Sequence, residues 1–147
     1  MEQNSNNGTG PSDDMEFFVG EYSCTLDDNK RLIVPSKFRK TLAGMGKNVS
    51  VMIYSKDFLT LYPYSTWKQQ IADKMSTLSH EDADALAKRR ELGRKTAHIQ
   101  IDKQGRISIP LTFYQAVGID KNVVLVGAID MIQIGSPAVL GNEVPAL

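Results

Sequence analysis

Two aspartate–arginine pairs recur in the chain with the same internal spacing. Asp27 precedes Arg31 by four positions, Asp102 precedes Arg106 by four positions, and the two pairs are offset by 75 positions. An aspartate that ends a strand can accept backbone N–H groups across a turn. An arginine presents a planar fork of donors that matches a phosphate or the edge of a guanine. The pairs therefore predict two turns held by ion pairs, or two arginines that aspartates orient toward a nucleic acid, and these roles are compatible.

The residues around the first pair have the pattern of strands followed by a helix. Residues 22–26 alternate apolar and polar, and residues 31–34 form a short apolar run after a polar turn. Pro35 suits the first position of a helix, on which Phe38 and Leu42 lie one turn apart. Two more apolar runs follow and predict two further strands.

The second half of the chain repeats this plan. Residues 97–101 alternate, residues 106–109 are predicted to pair back on them as a hairpin, and Pro110 opens a helix that carries Phe113 and Val117. Two apolar runs again follow the helix. The repetition predicts a β-rich α+β fold that contains a tandem duplication of a β-β-α-β-β unit.

A helical segment separates the two repeats. Trp67, Ile71, Met75 and Leu78 form an apolar stripe at helical spacing, whereas the N-terminal residues are polar, as in disordered segments. The chain is accordingly predicted to divide into a disordered tail at 1–14, a first repeat at 15–66, a helical insert at 67–94, a second repeat at 95–138 and a C-terminal tail at 139–147.

The composition excludes several classes of function. His80 and His98 fit no metal-ligand spacing with Cys24, and we find no nucleophile elbow and no phosphate-binding glycine loop. We therefore predict no enzyme, no catalytic residue, no metal site and no cofactor. A single cysteine, and apolar runs too short to span a membrane, favour a protein of the cytoplasm without a membrane partner.

The charge is unevenly distributed along the chain. The formal net charge is zero, yet all 17 basic residues lie between Lys30 and Lys121, so the central part of the chain is modestly basic. The densest basic run, Lys88–Lys95, has two interpretations: cations that offset the negative end of a helix, or contacts to phosphate. The first interpretation is favoured because acidic residues lie at the other end of the same predicted helix.

Both aspartate–arginine motifs, the proline that follows each of them, and the run at 123–127 resemble the two halves of the bacterial MraZ family. That family belongs to the AbrB-like (swapped-hairpin) superfamily. The resemblance covers about Met15 to Ser136 and implies a duplicated chain that folds as an intrachain pseudo-dimer and assembles into a homo-oligomeric ring. It also implies binding to repeats in promoter DNA, at the nucleoid, and repression of the division and cell-wall genes that include its own.

The chain departs from the family pattern at two places. The first motif reads Asp-Asp-Asn-Lys-Arg, whereas the family form has glycine immediately before the arginine. Because glycine is favoured where φ is positive, we expect Lys30 to avoid that conformation or Asn29 to adopt it. The second departure is Gly135, where the family usually has tryptophan, and it leaves the local packing open.

The predicted function is sequence-specific DNA binding by a transcriptional regulator, and the rival is a ring-forming protein scaffold with little DNA affinity. Local charge predicts that the first repeat faces DNA more closely, so Arg31 should contribute more than Arg106. The aspartates would hold the turns and the basic residues would meet double-stranded DNA; the residues concerned are Asp27, Asp102, Lys30, Arg31, Lys103 and Arg106.

Overall fold

The computed structural model describes residues 17–45, 49–78 and 80–141, so the predicted tail at 1–14 lies outside the described residues. The described residues form eight strands: β1 Glu21–Thr25, β2 Arg31–Ile33, β3 Val49–Tyr54, β4 Phe58–Pro63, β5 Thr96–Gln100, β6 Arg106–Ser108, β7 Asn122–Gly127 and β8 Ile132–Gly135. The helices are α1 Ser36–Gly44, α2, α3 Ala83–Arg94, α4 Leu111–Ala116 and α5 Pro137–Leu140. Helix α2 consists of two α-helical turns, Tyr64–Trp67 and Asp73–Ser76, on either side of a π-helical turn, Lys68–Ala72.

The strands of the two repeats are interleaved in one large sheet. Six antiparallel strands lie in the order β1-β7-β8-β4-β3-β5, so β1 of the first repeat pairs with β7 of the second, and β5 of the second pairs with β3 of the first. Strands β4 and β8 join the two halves at the centre of the sheet. Neither repeat could form this sheet alone. The predicted β-rich α+β fold, with two repeats that form an intrachain pseudo-dimer, is confirmed.

The remaining two strands form a separate ribbon, and here one prediction is wrong. Strand β6 pairs with β2, not back on β5, so that Leu32 lies opposite Ile107. The physical reason is burial: the short apolar runs of both repeats place Leu32 and Ile107 together in the core, at 1% and 0% exposure. A hairpin within one repeat would separate the two side chains and leave each without the other's apolar surface.

Helices α1 and α4 each bury a phenylalanine at equivalent positions. Phe38 packs edge-on against Phe18 and Tyr22, with ring centroids 5.8 and 5.1 Å apart, and Phe113 packs against Tyr54 at 4.8 Å. Edge-to-face pairs at these separations are favourable geometries for aromatic rings. The two phenylalanines therefore anchor both helices to the shared core. Each helix begins one residue later than predicted, because the preceding proline has an extended ψ.

The packing of helix α5 against strand β8 explains why a glycine occupies position 135. A Cβ atom at this position would lie 2.9 Å from Leu140 of α5 and 3.3 Å from the Cβ of Phe58. Ser136 begins α5 by accepting a hydrogen bond from the backbone N–H of Val139. The leucine of α5 thus covers the glycine, and a larger residue at position 135 requires α5 to shift.

Helices α2 and α3 occupy the segment between the repeats. The predicted stripe of Trp67, Ile71, Met75 and Leu78 is half-buried. The guanidinium of Arg89 in α3 donates to the carbonyl of Met75 at 2.7 Å, so the two helices are in contact. The domain boundaries themselves stay predictions.

Candidate nucleic-acid interface

The first turn is organised by the carboxylate of Asp27. Its Oδ1 accepts the backbone N–H groups of Asn29 at 2.8 Å and Arg31 at 3.0 Å, and its Oδ2 accepts Nε of Arg31 at 2.9 Å. The backbone closes the same turn, because Lys30 N–H donates to the carbonyl of Asp27. The side chain of Asp27 thus fixes both the backbone of the turn and the direction of the Arg31 side chain.

The second turn repeats this arrangement and adds one bond. Asp102 accepts the backbone N–H groups of Gln104 at 2.9 Å and Arg106 at 2.8 Å, and it accepts Nε of Arg106 at 2.8 Å. The Nη2 atom of Arg106 also donates to Oε1 of Gln104 at 2.7 Å. The position equivalent to Gln104 in the first turn is Asn29. Among the described residues, Asp27 is the one side chain that accepts a hydrogen bond from Arg31. Arg106 is therefore held more firmly than Arg31.

Both carboxyl groups are stabilised in the charged form. The pKa of Asp27 and that of Asp102 lie below the ordinary value of 3.8, chiefly because each accepts the backbone N–H of the arginine in its own turn. The side chain of that arginine lowers each pKa further. Both aspartates are ionised at neutral pH and keep their arginines in place.

The geometry leaves the tips of both arginines available. Each aspartate binds Nε, which leaves Nη1 and Nη2 of Arg31 and Nη1 of Arg106 without a bond to the turn, while Nη2 of Arg106 donates one of its two N–H groups to Gln104. The side chains of Arg31 and Arg106 are 31% and 26% exposed. A guanidinium held in this manner can place two parallel N–H donors on a phosphate or on the O6 and N7 acceptors of guanine.

The residue before each arginine has a positive φ, which corrects the expectation for the first turn. Lys30 has a φ of 60° and the equivalent Gly105 has a φ of 81°. Lys30 thus adopts the left-handed conformation that it was expected to avoid. The cause is the closure of the ribbon: the carbonyl of Lys30 accepts Ile109 N–H at 3.0 Å, as the carbonyl of Gly105 accepts Val34 N–H at 2.9 Å. Both bonds need the same backbone conformation.

Each turn is covered by the helix of the other repeat. Arg39 of α1 lies over Gly105, where a Cβ atom would meet its guanidinium at 2.6 Å, and Tyr114 of α4 lies under the ammonium of Lys30 at 4.8 Å. Residues 39 and 114 are themselves related by the 75-residue offset. The positive charge of Arg39 therefore lies beside the second turn, although Arg39 is close to the first turn in sequence.

The surface grooves beside the two turns differ in charge as a result. A groove of about 420 Å³ beside the second turn is lined by two cations, Arg39 and Lys103, and one acid, Asp102. The groove of about 220 Å³ beside the first turn is lined by two cations and three acids; its charged residues are Asp27, Asp28, Lys30, Asp120 and Lys121. The charges beside the two turns therefore favour Arg106, opposite to the ranking that local sequence charge predicts, and the ranking itself stays a prediction.

The ribbon of β2 and β6 carries both arginines on one face. Arg31 lies opposite Ser108 and Ile33 lies opposite Arg106, and residues opposite each other in an antiparallel pair project to the same side. The pairing places the Cα atoms of the two arginines diagonally across the ribbon, roughly 7–8 Å apart. We refer to the surface formed by Arg31, Ile33, Arg106 and Ser108 as the outer face of the ribbon.

Sequence reasoning brought together the residues within each turn but missed their partners from the other repeat. Arg39 and Tyr114 are these partners, and the only signal for them was their shared offset. Gln104 was also missed, although it lies within the second turn, where it accepts a hydrogen bond from Arg106. Over residues 17–45, 49–78 and 80–141, no cluster of three His, Cys, Asp or Glu side chains could hold a metal ion. No helix in that part of the chain is long and apolar enough to cross a membrane.

These features define a class of protein: an AbrB-like pseudo-dimer in which two swapped repeats share one sheet and one arginine-bearing ribbon. The chain belongs to the MraZ family, whose model, described as "MraZ protein, putative antitoxin-like", matches residues 17–90 and 92–138.

Curated relatives agree with this assignment. The chain is 36% identical over 122 residues to "Transcriptional regulator MraZ" of Thermomicrobium roseum, and 35% identical over 120 residues to the protein of that name from Lachnoclostridium phytofermentans. Its identity to the Stenotrophomonas maltophilia protein of the same name is 35% over 123 residues. Each alignment covers 82% of this chain and 82% of the relative.

Proposed function

We propose that this protein is a sequence-specific DNA-binding transcriptional regulator and that the outer face of the ribbon contacts the DNA. The main support for the proposal is the orientation of the two arginines: each aspartate takes Nε, and both guanidinium groups keep terminal N–H donors available to bind, although one N–H of Arg106 Nη2 is used by Gln104. The names of the relatives, all "Transcriptional regulator MraZ", support the same function.

The dimensions of the ribbon suit the major groove of B-DNA. Two paired strands lie about 4.8 Å apart, and the major groove, about 12 Å wide, admits a two-stranded ribbon. Arg31 and Arg106 project from one face of this ribbon on opposite strands. A bidentate contact of arginine with guanine contributes about 1–3 kcal/mol of discrimination between bases. Two such contacts are enough to make binding depend on sequence.

The remaining site residues have supporting roles in this proposal. Asp27 and Asp102 orient the arginines. Lys103 lines the cationic groove beside the second turn, where it and Arg39 would neutralise backbone phosphates. The ammonium of Lys30 lies over the ring of Tyr114, which keeps it beside the first turn and within reach of the same DNA.

Oligomerisation would supply the affinity that one chain lacks. A modestly basic chain neutralises few phosphates, and affinity increases with the number neutralised. A homo-oligomeric ring that presents several ribbons to repeated promoter sequences multiplies weak contacts through avidity. We propose that such binding, in the cytoplasm at the nucleoid, represses the division and cell-wall gene cluster that includes the protein's own gene.

The test is a titration of the full chain with duplex DNA from the region upstream of its own gene, at several salt concentrations. We expect binding that is stronger than to a scrambled duplex of equal length and that weakens as salt rises, by about 0.9 in log–log slope for each phosphate neutralised. Equal and weak binding to both duplexes would contradict the proposal and favour a protein scaffold without DNA specificity.

A further inference from the structure

The outer face of the ribbon contains one apolar residue, Ile33, whose side chain is among the most exposed large hydrophobic groups that the structure describes, at 61%. Its neighbours in the chain explain why it points outward: Leu32 in β2 and Val34 directly after β2 are both buried at 1% exposure, and successive residues of a strand face opposite sides. A single exposed isoleucine has no significance by itself. Its position does, because it lies directly opposite Arg106.

The repeat offset shows that Ile33 breaks the symmetry of this face. Position 33 corresponds to Ser108, whereas Arg31 corresponds to Arg106 and Leu32 to Ile107. The two halves of the ribbon therefore present the same cation but different neighbours. One half carries a branched apolar group beside its arginine, and the other carries a hydroxyl.

The chemistry of the major groove gives the apolar group a partner. Thymine is the base that presents a methyl group there, at C5, and apolar side chains contact that methyl. Side chains opposite each other on a ribbon have Cβ atoms about 4.5–5.5 Å apart, and neighbouring base pairs are stacked about 3.4 Å apart along the strand. An isoleucine opposite an arginine can thus reach the base pair next to a guanine that the arginine binds.

We propose that Ile33 is a specificity-determining residue that contacts the C5 methyl of a thymine adjacent to the guanine bound by Arg106. Ser108 makes no such contact, so the two halves of the ribbon select different base steps. This inference rests on the proposed function, since it requires the ribbon to lie in the major groove.

The experiment uses two random-sequence duplex libraries that differ only in that methyl, one synthesised with dTTP and the other with dUTP. The full-length protein selects duplexes from each at one fixed salt concentration. We expect a thymine preference at one position of the selected site, next to a guanine, that disappears in the dUTP library. Replacing that thymine alone by deoxyuridine in a selected duplex should weaken binding about fourfold, equivalent to ~0.8 kcal/mol for one buried methyl group.

Two reciprocal variants locate the effect. Ile33→Ser should bind the thymine and deoxyuridine duplexes equally, and Ser108→Ile should gain a second thymine preference beside the guanine bound by Arg31. Both substitutions are at exposed positions, and circular dichroism checks their folding. Equal affinity of the unmodified protein for thymine and deoxyuridine at every position overturns the inference and leaves the proposed function standing. Failure to select any duplex overturns both.

Discussion

The two turns of this protein share a backbone design and differ in their surroundings. In each, an aspartate accepts two backbone N–H groups and the Nε of an arginine at nearly the same distances. The first turn contains a lysine with a positive φ and lies beside a groove with more acids than bases. The second contains a glycine and lies beside a groove with more bases than acids.

Because the two repeats are interleaved, a charged residue that follows one turn in sequence can lie against the other turn in space. Arg39 follows the first turn in sequence and lies against the second in space. In addition, Gln104 holds the terminal nitrogen Nη2 of Arg106, and the first turn has Asn29 at that position. The two turns thus have nearly the same backbone but hold their arginines unequally, and Arg106 is the better supported of the two.

The largest expected difference between the turns is in DNA affinity. We expect Arg106→Ala to weaken binding to the upstream duplex by about 10- to 100-fold, within the range for loss of a bidentate guanine contact. Arg31→Ala should weaken it less, because three aspartates line the groove beside it. A mobility-shift titration at one salt concentration measures both. Lys56→Ala, which removes one positive charge outside the ribbon and both turns, is the control; an equal loss in all three variants would contradict the ranking.

The second prediction concerns the stability of the second turn. Gly105→Ala should lower the free energy of unfolding by about 1–3 kcal/mol, because a side chain at φ 81° is strained and its Cβ would lie 2.6 Å from Arg39. Urea denaturation measures the change. Gly93→Ala is the matched control: its Cβ meets nothing within 4 Å, so we expect it to raise the stability of α3 by about 0.5–1 kcal/mol.

A smaller effect is expected from Asp102→Asn. The amide oxygen can still accept the backbone N–H groups of Gln104 and Arg106, but the amide nitrogen cannot accept Nε of Arg106. The turn should persist while the guanidinium loses its orientation, so DNA affinity should fall by about three- to fivefold, the scale of an exposed ion pair. Asp28→Asn, which removes an acid that makes no such contact with an arginine, should leave affinity equal or improved.

Acid denaturation separates this effect from a loss of fold. The pKa of Asp102 in the folded protein is below its ordinary value of 3.8, so its contribution to stability is present above that pH and is lost as the pH falls through the folded pKa. The Asp102→Asn variant should lack that part of the acid-induced decline. A variant that declines as steeply as the unmodified protein would show that the carboxylate does not stabilise the turn.

The smallest expected effect is that of Lys30→Gly, which gives the first turn the glycine of the second. Relief of the strain at φ 60° is offset by the greater freedom of glycine in the unfolded chain and by loss of the contact with the Tyr114 ring. We expect the free energy of unfolding to change by less than about 1 kcal/mol. A non-glycine residue in the left-handed region costs about 1–3 kcal/mol, and glycine at position 30 would remove that cost. A destabilisation of about 2 kcal/mol or more, measured in urea relative to Lys56→Gly, would therefore show that Lys30 is not strained.

The sequence predicts those features that depend on local pattern. The alternation at 22–26, the turn residues and the buried Phe38 are recognisable because each follows from periodicity within a few residues. The pairing of β2 with β6 cannot be recognised in this way, because an apolar run of three residues indicates a buried strand but does not indicate which strand it pairs with. Likewise, the positive φ of Lys30 is imposed by a hydrogen bond from Ile109, which lies 79 positions along the chain.

Whether the ribbon contacts DNA is decided by a titration of the Arg31→Ala/Arg106→Ala double variant with the upstream duplex, beside the unmodified protein and at the same salt concentration. We expect the double variant to remain folded, as circular dichroism would show, and to bind the upstream and scrambled duplexes equally and weakly. A folded double variant that binds the upstream duplex as tightly as the unmodified protein would show that the ribbon is not the DNA-contacting surface.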